Sequence, residues 1–286
     1  MKGPTVILLS VMLILHSCKT PKEESGIDPE KLYAWCIVPF DSLNRTPKER
    51  IAMLQGLGMS KYAYDWRQEH LETTAEELKL AKRNGIEINA LWLWIDDNWD
   101  AVGKLNEANE RLFRIIEEEA YHGQIWVSFN ANFFENLTDQ EAVEKGAEMI
   151  GFLSKRARAL GCRLALYNHG DWFGEPENQI KIIEALSDED LGIIFNFHHA
   201  HQQIDYFPEM VDKMLPYLWS VNLNGVRKSG PKILSIGEGD HEAQMIRLLL
   251  DKGYQGDFGI LGHVENADVE MILKANLDGL KKLATP

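Results

Sequence analysis

The stretch Arg163-Leu-Ala-Leu-Tyr-Asn-His-Gly170 decides how the rest of the chain is read. A short apolar run stops abruptly at Tyr167, Asn168 and His169, and Gly170 turns the chain. A buried parallel strand has this form when it delivers polar side chains to a site at its carboxyl end. The same plan recurs on both sides. Upstream, Leu32–Phe40, Lys61–Trp66, Ile86–Ile95 and Gln124–Phe129 are apolar runs, the later ones ending in Asp65-Trp66-Arg67, Asp96 and Asn130. Downstream, Gly192–Phe197, Leu218–Leu223 and Phe258–Leu261 run into His198-His199, Asn224-Gly225 and Gly262-His263.

Helix signals separate these runs. Thr46-Pro47-Lys48-Glu49 supplies a cap, a first-turn proline and the glutamate of a capping box; Thr74 with Glu77 and Thr138 with Glu141 have the same spacing. Asn84-Gly85 and Gly161 supply stops. Eight strand-like segments alternating with eight helical ones, in a chain of 286 residues, predict a single (β/α)8 TIM barrel over residues 31–286. No GxGxxG follows a strand and no GxxxxGK[ST] is present, which disfavours the nucleotide-binding α/β folds.

Composition narrows the partners. A net charge of −14, with 44 acidic against 30 basic residues and no basic stripe, argues against nucleic acid. Residues 1–18 have a charged start at Lys2, a short apolar run Val6–Leu15 and the ending Leu15-His16-Ser17-Cys18. This is the layout of a secretory signal whose ending resembles a bacterial lipobox, so a lipid on Cys18 is expected to anchor the protein at the bacterial cell envelope, outside the cytoplasm. Residues 19–30, polar with two prolines, then form a tether. Cys36 and Cys162 sit in apolar runs and read as core residues, with a disulfide between them left open.

Particular elements resemble the xylose isomerase-like barrels, a group of sugar isomerases and epimerases that also includes an apurinic-site endonuclease. ALYNH (165–169) resembles that family's strand ending in Glu-Asn-His, FNFHHAH (195–201) its Asp-x-x-His element, and SVNLN (220–224) its His-x-x-Asp-like strand. Gly237-Glu238-Gly239-Asp240 and Gly253-Tyr254-Gln255-Gly256 resemble its turns before the seventh helix and the last strand. The resemblance implies a divalent metal held by Glu, Asp, His and Glu. Carried over, those positions fall on Tyr167, Asn196, Asn222 and Leu261 or a neighbour, so all four look substituted, while His169 and His199 are kept.

Two readings stay open. A displaced site of His169, His199 and His263 with Glu265 nearby would hold one divalent metal, zinc or a similar transition ion. Alternatively, a metal-free barrel would use His169 or His199 as general base. The expected function is an isomerase, epimerase or lyase acting on a non-phosphorylated carbohydrate or keto-sugar. Asp65 and Arg67 would join the histidines in catalysis. Tyr167, Asn168, Asn196, Asn222, Asn224, Trp94 and His70 would bind substrate. The competing expectation is a carbohydrate-binding lipoprotein on a decayed isomerase scaffold.

Overall fold

The computed structural model describes residues 27–283. The lipobox, its cysteine and most of the expected tether therefore lie outside the described residues. The chain runs β1 (Leu32–Trp35), α1 (Pro47–Gly56), β2 (Lys61–Tyr64), α2 (Leu71–Arg83), β3 (Glu87–Ile95), α3 (Glu107–Glu118) and β4 (Gln124–Phe129). It continues with α4 (Asp139–Ala159), β5 (Arg163–Tyr167), the single turn α5 (Asp171–Gly174), α6 (Pro176–Ala185), β6 (Leu191–Asn196) and α7 (Phe207–Met214). It closes with β7 (Leu218–Leu223), α8 (Glu242–Asp251), β8 (Asp257–Leu261) and α9 (Val269–Leu283). All eight strands are parallel and pair in sequence order, and β8 returns to β1 to close the barrel. Among the described residues, no helix is long and apolar enough to cross a membrane.

Two apolar layers follow from strand alternation. Outward-facing residues such as Leu91, Leu93, Val127, Leu166 and Ile193 pack under the helices in the larger core. Inward-facing residues form a second cluster, in which Ala63, Ala90 and Ala165 leave room for the rings of Tyr33, Trp35, Trp126 and Tyr167. The ring centroids of Trp35 and Trp126 are 5.1 Å apart, and those of Trp126 and Tyr167 6.2 Å. The barrel is thus plugged by aromatic groups, and whatever binds must bind above them. Gly259 belongs to this packing: a Cβ there would stand 2.0 Å from Asn222 Oδ1 and 2.6 Å from the Tyr33 ring.

The capping boxes at Thr46–Glu49 and Thr138–Glu141 form as the sequence predicts. The one expected at Thr74–Glu77 does not. Helix α2 begins at Leu71, and the Thr74 hydroxyl donates to the His70 carbonyl from inside the first turns. Glu77 is fully buried and accepts from Arg50 at 3.0 Å and from the Tyr62 hydroxyl at 2.5 Å. A buried guanidinium demands a carboxylate more strongly than a helix end does, so the tertiary pair overrides the local cap. Cys36 and Cys162 are both free and buried, so the disulfide left open by the sequence is not formed.

Candidate active site

The strand ends converge on a small cavity of about 70 Å3 at the carboxyl end of the barrel. A larger cavity, about 270 Å3, lies at the opposite end among Leu32, Leu57, Met59, Ile246 and Leu250. Only the smaller one gathers titratable side chains from several strand ends, which is where barrels of this type place chemistry.

Alternation decides which residues of the opening stretch reach it. Tyr167 and His169 line the cavity, whereas Asn168 does not. Asn168 is fully buried on the other face, where its Oδ1 accepts from Asn196 N at 2.7 Å and its Nδ2 donates to Asn196 O. Its expected role in binding substrate is therefore corrected to one of locking β5 to β6. Asn196 does line the cavity, and its Nδ2 donates to the Tyr167 hydroxyl. The same hydroxyl accepts from Trp35 Nε1 at 3.0 Å.

Asn222 and Asn224 are also fully buried and do not line the cavity. Asn222 Oδ1 accepts from the Tyr33 hydroxyl at 2.6 Å, deeper in the barrel. Asn224 Nδ2 donates to Gly225 O at 2.8 Å and holds the base of the loop after β7. His70 likewise stays outside, its Nδ1 accepting from Arg67 N at 2.9 Å. These three support the mouth instead of facing a ligand. Trp94 is half-buried and packs edge-on against His169, with ring centroids 5.2 Å apart.

Asp65 and Arg67, just beyond β2, both line the cavity. Asp65 is 1% exposed; its Oδ1 accepts from Val38 N at 3.2 Å, and its Oδ2 has no hydrogen-bond partner. Burial pushes its carboxyl up to about 7, against the pull of the nearby Arg67 guanidinium. Across the mouth stand His169 beyond β5 and His199 beyond β6. In a closed ring of eight strands, β6 lies four places from β2, directly opposite. Burial lowers both imidazoles from their ordinary value, His199 most strongly, with the neighbouring His198 adding to its shift. Both rings are therefore neutral near pH 7.

The cavity also takes residues absent from the expected set: Trp35, Cys36, Phe40, Trp92 and His198. His198 is lowered to about 4 by burial and by His263, and its Nδ1 has no partner. Cys36 has φ of +56°, and this turn swings its side chain toward the mouth just past β1. Trp92 was recoverable from sequence, since it shares the inward face with Trp94 two residues on. Trp35 ends the inward face of β1, whereas Cys36, Phe40 and His198 come from turns, where no periodicity assigns a direction.

The residues at the four family metal positions do not fit a divalent cation. Tyr167, Asn196 and Asn222 are neutral and engaged with one another or with Trp35 and Tyr33, and Leu261 is core. His169, His199 and His263 do meet at the mouth. His263 stacks on Phe40 and its Nε2 lies 3.2 Å from Glu265 Oε1, with Glu265 exposed. Among the described residues, no group of three or more His, Cys, Asp or Glu side chains is arranged to hold a metal ion.

A family model described as xylose isomerase-like TIM barrel matches residues 52–283. No curated protein matches the sequence. Among solved structures, the 3-keto-D-glucoside 4-epimerase from E. coli superimposes with a TM-score of 0.65 at 17% identity, covering 90% of this chain and 99% of that one. The probable 3-DHS dehydratase from Bacillus anthracis gives 0.64 at 14% identity, covering 87% and 98%. The D-psicose 3-epimerase from Clostridium cellulolyticum H10, with D-tagatose, gives 0.59 at 13% identity, covering 88% and 95%. At these identities the likeness is one of fold.

Proposed function

This chain belongs to the xylose isomerase-like TIM barrel family, and on that premise we propose that it is an enzyme moving a proton next to a carbonyl of a non-phosphorylated carbohydrate or keto-sugar. The carrying observation is Asp65: a buried carboxyl with one unpartnered oxygen, poised at about 7, facing neutral imidazoles across the mouth. A general base works best with a pKa near the operating pH. The sequence assigned the proton to His169 or His199; their lowered basicity moves that role to Asp65.

The step balances without a further reactant. The Asp65 carboxylate takes a proton from the carbon beside the carbonyl, and the C–H electron pair becomes the C=C bond of an enolate. Negative charge moves onto the carbonyl oxygen, where an N–H of His169 or His199 stabilises it. Tyr167, whose oxygen already accepts twice, has its own O–H to donate there as well. Return of the proton from Asp65 to the opposite face of the same carbon gives an epimer; its delivery to the former carbonyl carbon, with the adjacent hydroxyl proton passing to the oxyanion, gives an isomer; and its delivery to a β-hydroxyl leaving as water gives a dehydrated product. No step is routed through a metal.

The cavity is well below the roughly 300–1,000 Å3 of sites that enclose a whole small molecule, so it suits the reacting end of a sugar whose remainder lies in the open mouth. Fold neighbours named for 3-keto-D-glucosides, D-psicose and 3-DHS support this substrate class. An anchor on Cys18 would place the enzyme at the cell envelope, facing carbohydrates outside the cytoplasm. The binding-protein alternative is favoured by one observation, the neutral networks filling the metal positions.

The test is incubation of the purified soluble domain, with and without chelator, with a panel of ketoses, aldoses and keto-glycosides, followed by carbon NMR. Appearance of an isomerised, epimerised or dehydrated sugar that persists after chelation is the expected result. Sugar binding with no product from any panel member would replace the enzyme by the binding protein.

A further inference from the structure

Arg67 lines the mouth with its charge unpaired. Its Nη1 donates to the backbone carbonyls of Asp65 at 2.8 Å and Trp66 at 2.9 Å, which leaves Nε and Nη2 without a protein partner. Its guanidinium carbon lies 4.6 Å from the centroid of the Trp92 ring and 5.7 Å from that of Phe40. No carboxylate oxygen among the described residues lies within 4.0 Å of its guanidinium nitrogens. Asp65 is the one carboxyl in the cavity lining; it feels the Arg67 charge but makes no ion pair with it. The rest of the lining is aromatic, thiol, amide or imidazole. With the histidines neutral, Arg67 is the one cation in the cavity lining of a protein whose net charge is −14.

The free edge of the fork selects the anion. Nε and Nη2 form a planar pair of donors, which matches two carboxylate oxygens side by side. The aromatic faces beside it hold the plane and displace water, which strengthens a charged hydrogen bond made there. A phosphate would want more donors than one edge provides. In this barrel type those often come from the loops after β7 and β8. Here the loop after β7 is already filled by the protein's own carboxylate. Glu242 is 1% exposed and accepts from Val226 N, Gly237 N and Gly239 N, each at 2.9 Å.

We propose that Arg67 is the carboxylate-binding residue of this site and that the substrate is an acidic sugar, an aldonic or uronic acid or a keto derivative of one. The inference rests on the proton-transfer reading above and narrows its substrate class. Pairing with Arg67 would withdraw charge from the substrate carboxylate and fix the sugar with its reacting carbons toward Asp65.

Isothermal titration of the soluble domain with D-gluconate, D-glucuronate and D-galacturonate, against D-glucose, D-galactose and D-glucose 6-phosphate, tests it. At least one acid should bind about tenfold or more tightly than its neutral counterpart, the range of a charge-assisted bidentate contact. Arg67→Gln should erase that preference. Arg67→Lys, which keeps charge without the fork, should lose most of it and serves if the glutamine variant does not fold. Neutral sugars binding as tightly as the acids, a preference that survives both variants, tightest binding of the 6-phosphate, or no acid binding at millimolar concentration would each overturn the proposal. Turnover of a neutral keto-sugar with no preference for acids would do so while leaving the proton-transfer reading intact.

Discussion

Replacing Asp65 by asparagine should remove activity and, at the same time, stabilise the fold in a pH-dependent way. In the native state the carboxyl holds its proton up to about pH 7, while in the unfolded chain it releases it near 4. Between those values the unfolded state has lost a proton that the native state keeps, so stability falls as pH rises, by about 1.4 kcal/mol per unit. Over some three units this amounts to a penalty on the order of 4 kcal/mol in the wild type above pH 7, absent below pH 4. Asparagine has the same shape, keeps the oxygen that accepts from Val38 N, and carries no charge to bury. Urea denaturation followed by tryptophan fluorescence, run on both proteins from pH 4 to pH 8.5, gives the comparison. The advantage of Asp65→Asn should be near zero at pH 4 and reach several kcal/mol by pH 8. The histidines at the mouth titrate equally in both proteins and cancel in the difference. A difference that stays flat across this range, or favours the wild type at pH 8, would show that the Asp65 carboxyl is not held protonated by burial.

Turnover should rise with pH through about 7, because the proposed base works ionised, and Asp65→Asn should lower kcat by about 10²–10⁴ at every pH; a rate that falls over the same interval would assign Asp65 the acid role instead. His198 acts in the opposite sense to Asp65, its contribution to stability declining as pH falls from 6.5 toward 4. His198 is held neutral down to about 4, and its contribution is lost as the unfolded imidazole takes up a proton; His198→Phe should blunt that decline in a pH series of melting temperatures. Glu77→Ala should cost about 3–5 kcal/mol by chemical denaturation, since it strands the Arg50 guanidinium in the core. Cys18→Ala should move the full-length protein from the membrane fraction to the soluble fraction of cells, and continued membrane association would remove the lipid anchor from the account.

The barrel was largely legible from the chain because its signals are local. Alternating apolar runs, two capping boxes and glycines at Gly85 and Gly161 with positive φ fall where the sequence puts them. Strand ends were less so: β1 stops at Trp35 because Cys36 turns into the left-handed region, though the apolar run continues to Phe40. At the site, sequence identified the strand ends but not the direction of each side chain. Tyr167, Asn168 and His169 are equally polar, and only the pleat sends the middle one away from the mouth. Asn222 and Asn224 were lost to tertiary bonds with Tyr33 and the β7 loop that no local pattern announces. Asp65 gained weight for the same kind of reason, since the burial that weakens it as an acid exists only in the folded barrel.

Asp65 is proposed to move a carbon-bound proton. Incorporation of deuterium from heavy water into a bound sugar or sugar acid, followed by proton NMR in chelator-treated protein, tests it without requiring the full reaction. Wild-type protein should exchange a hydrogen on the carbon beside the carbonyl, at a rate that rises through about pH 7, and Asp65→Asn should exchange at the uncatalysed rate. Exchange that continues at the wild-type rate in Asp65→Asn would contradict it.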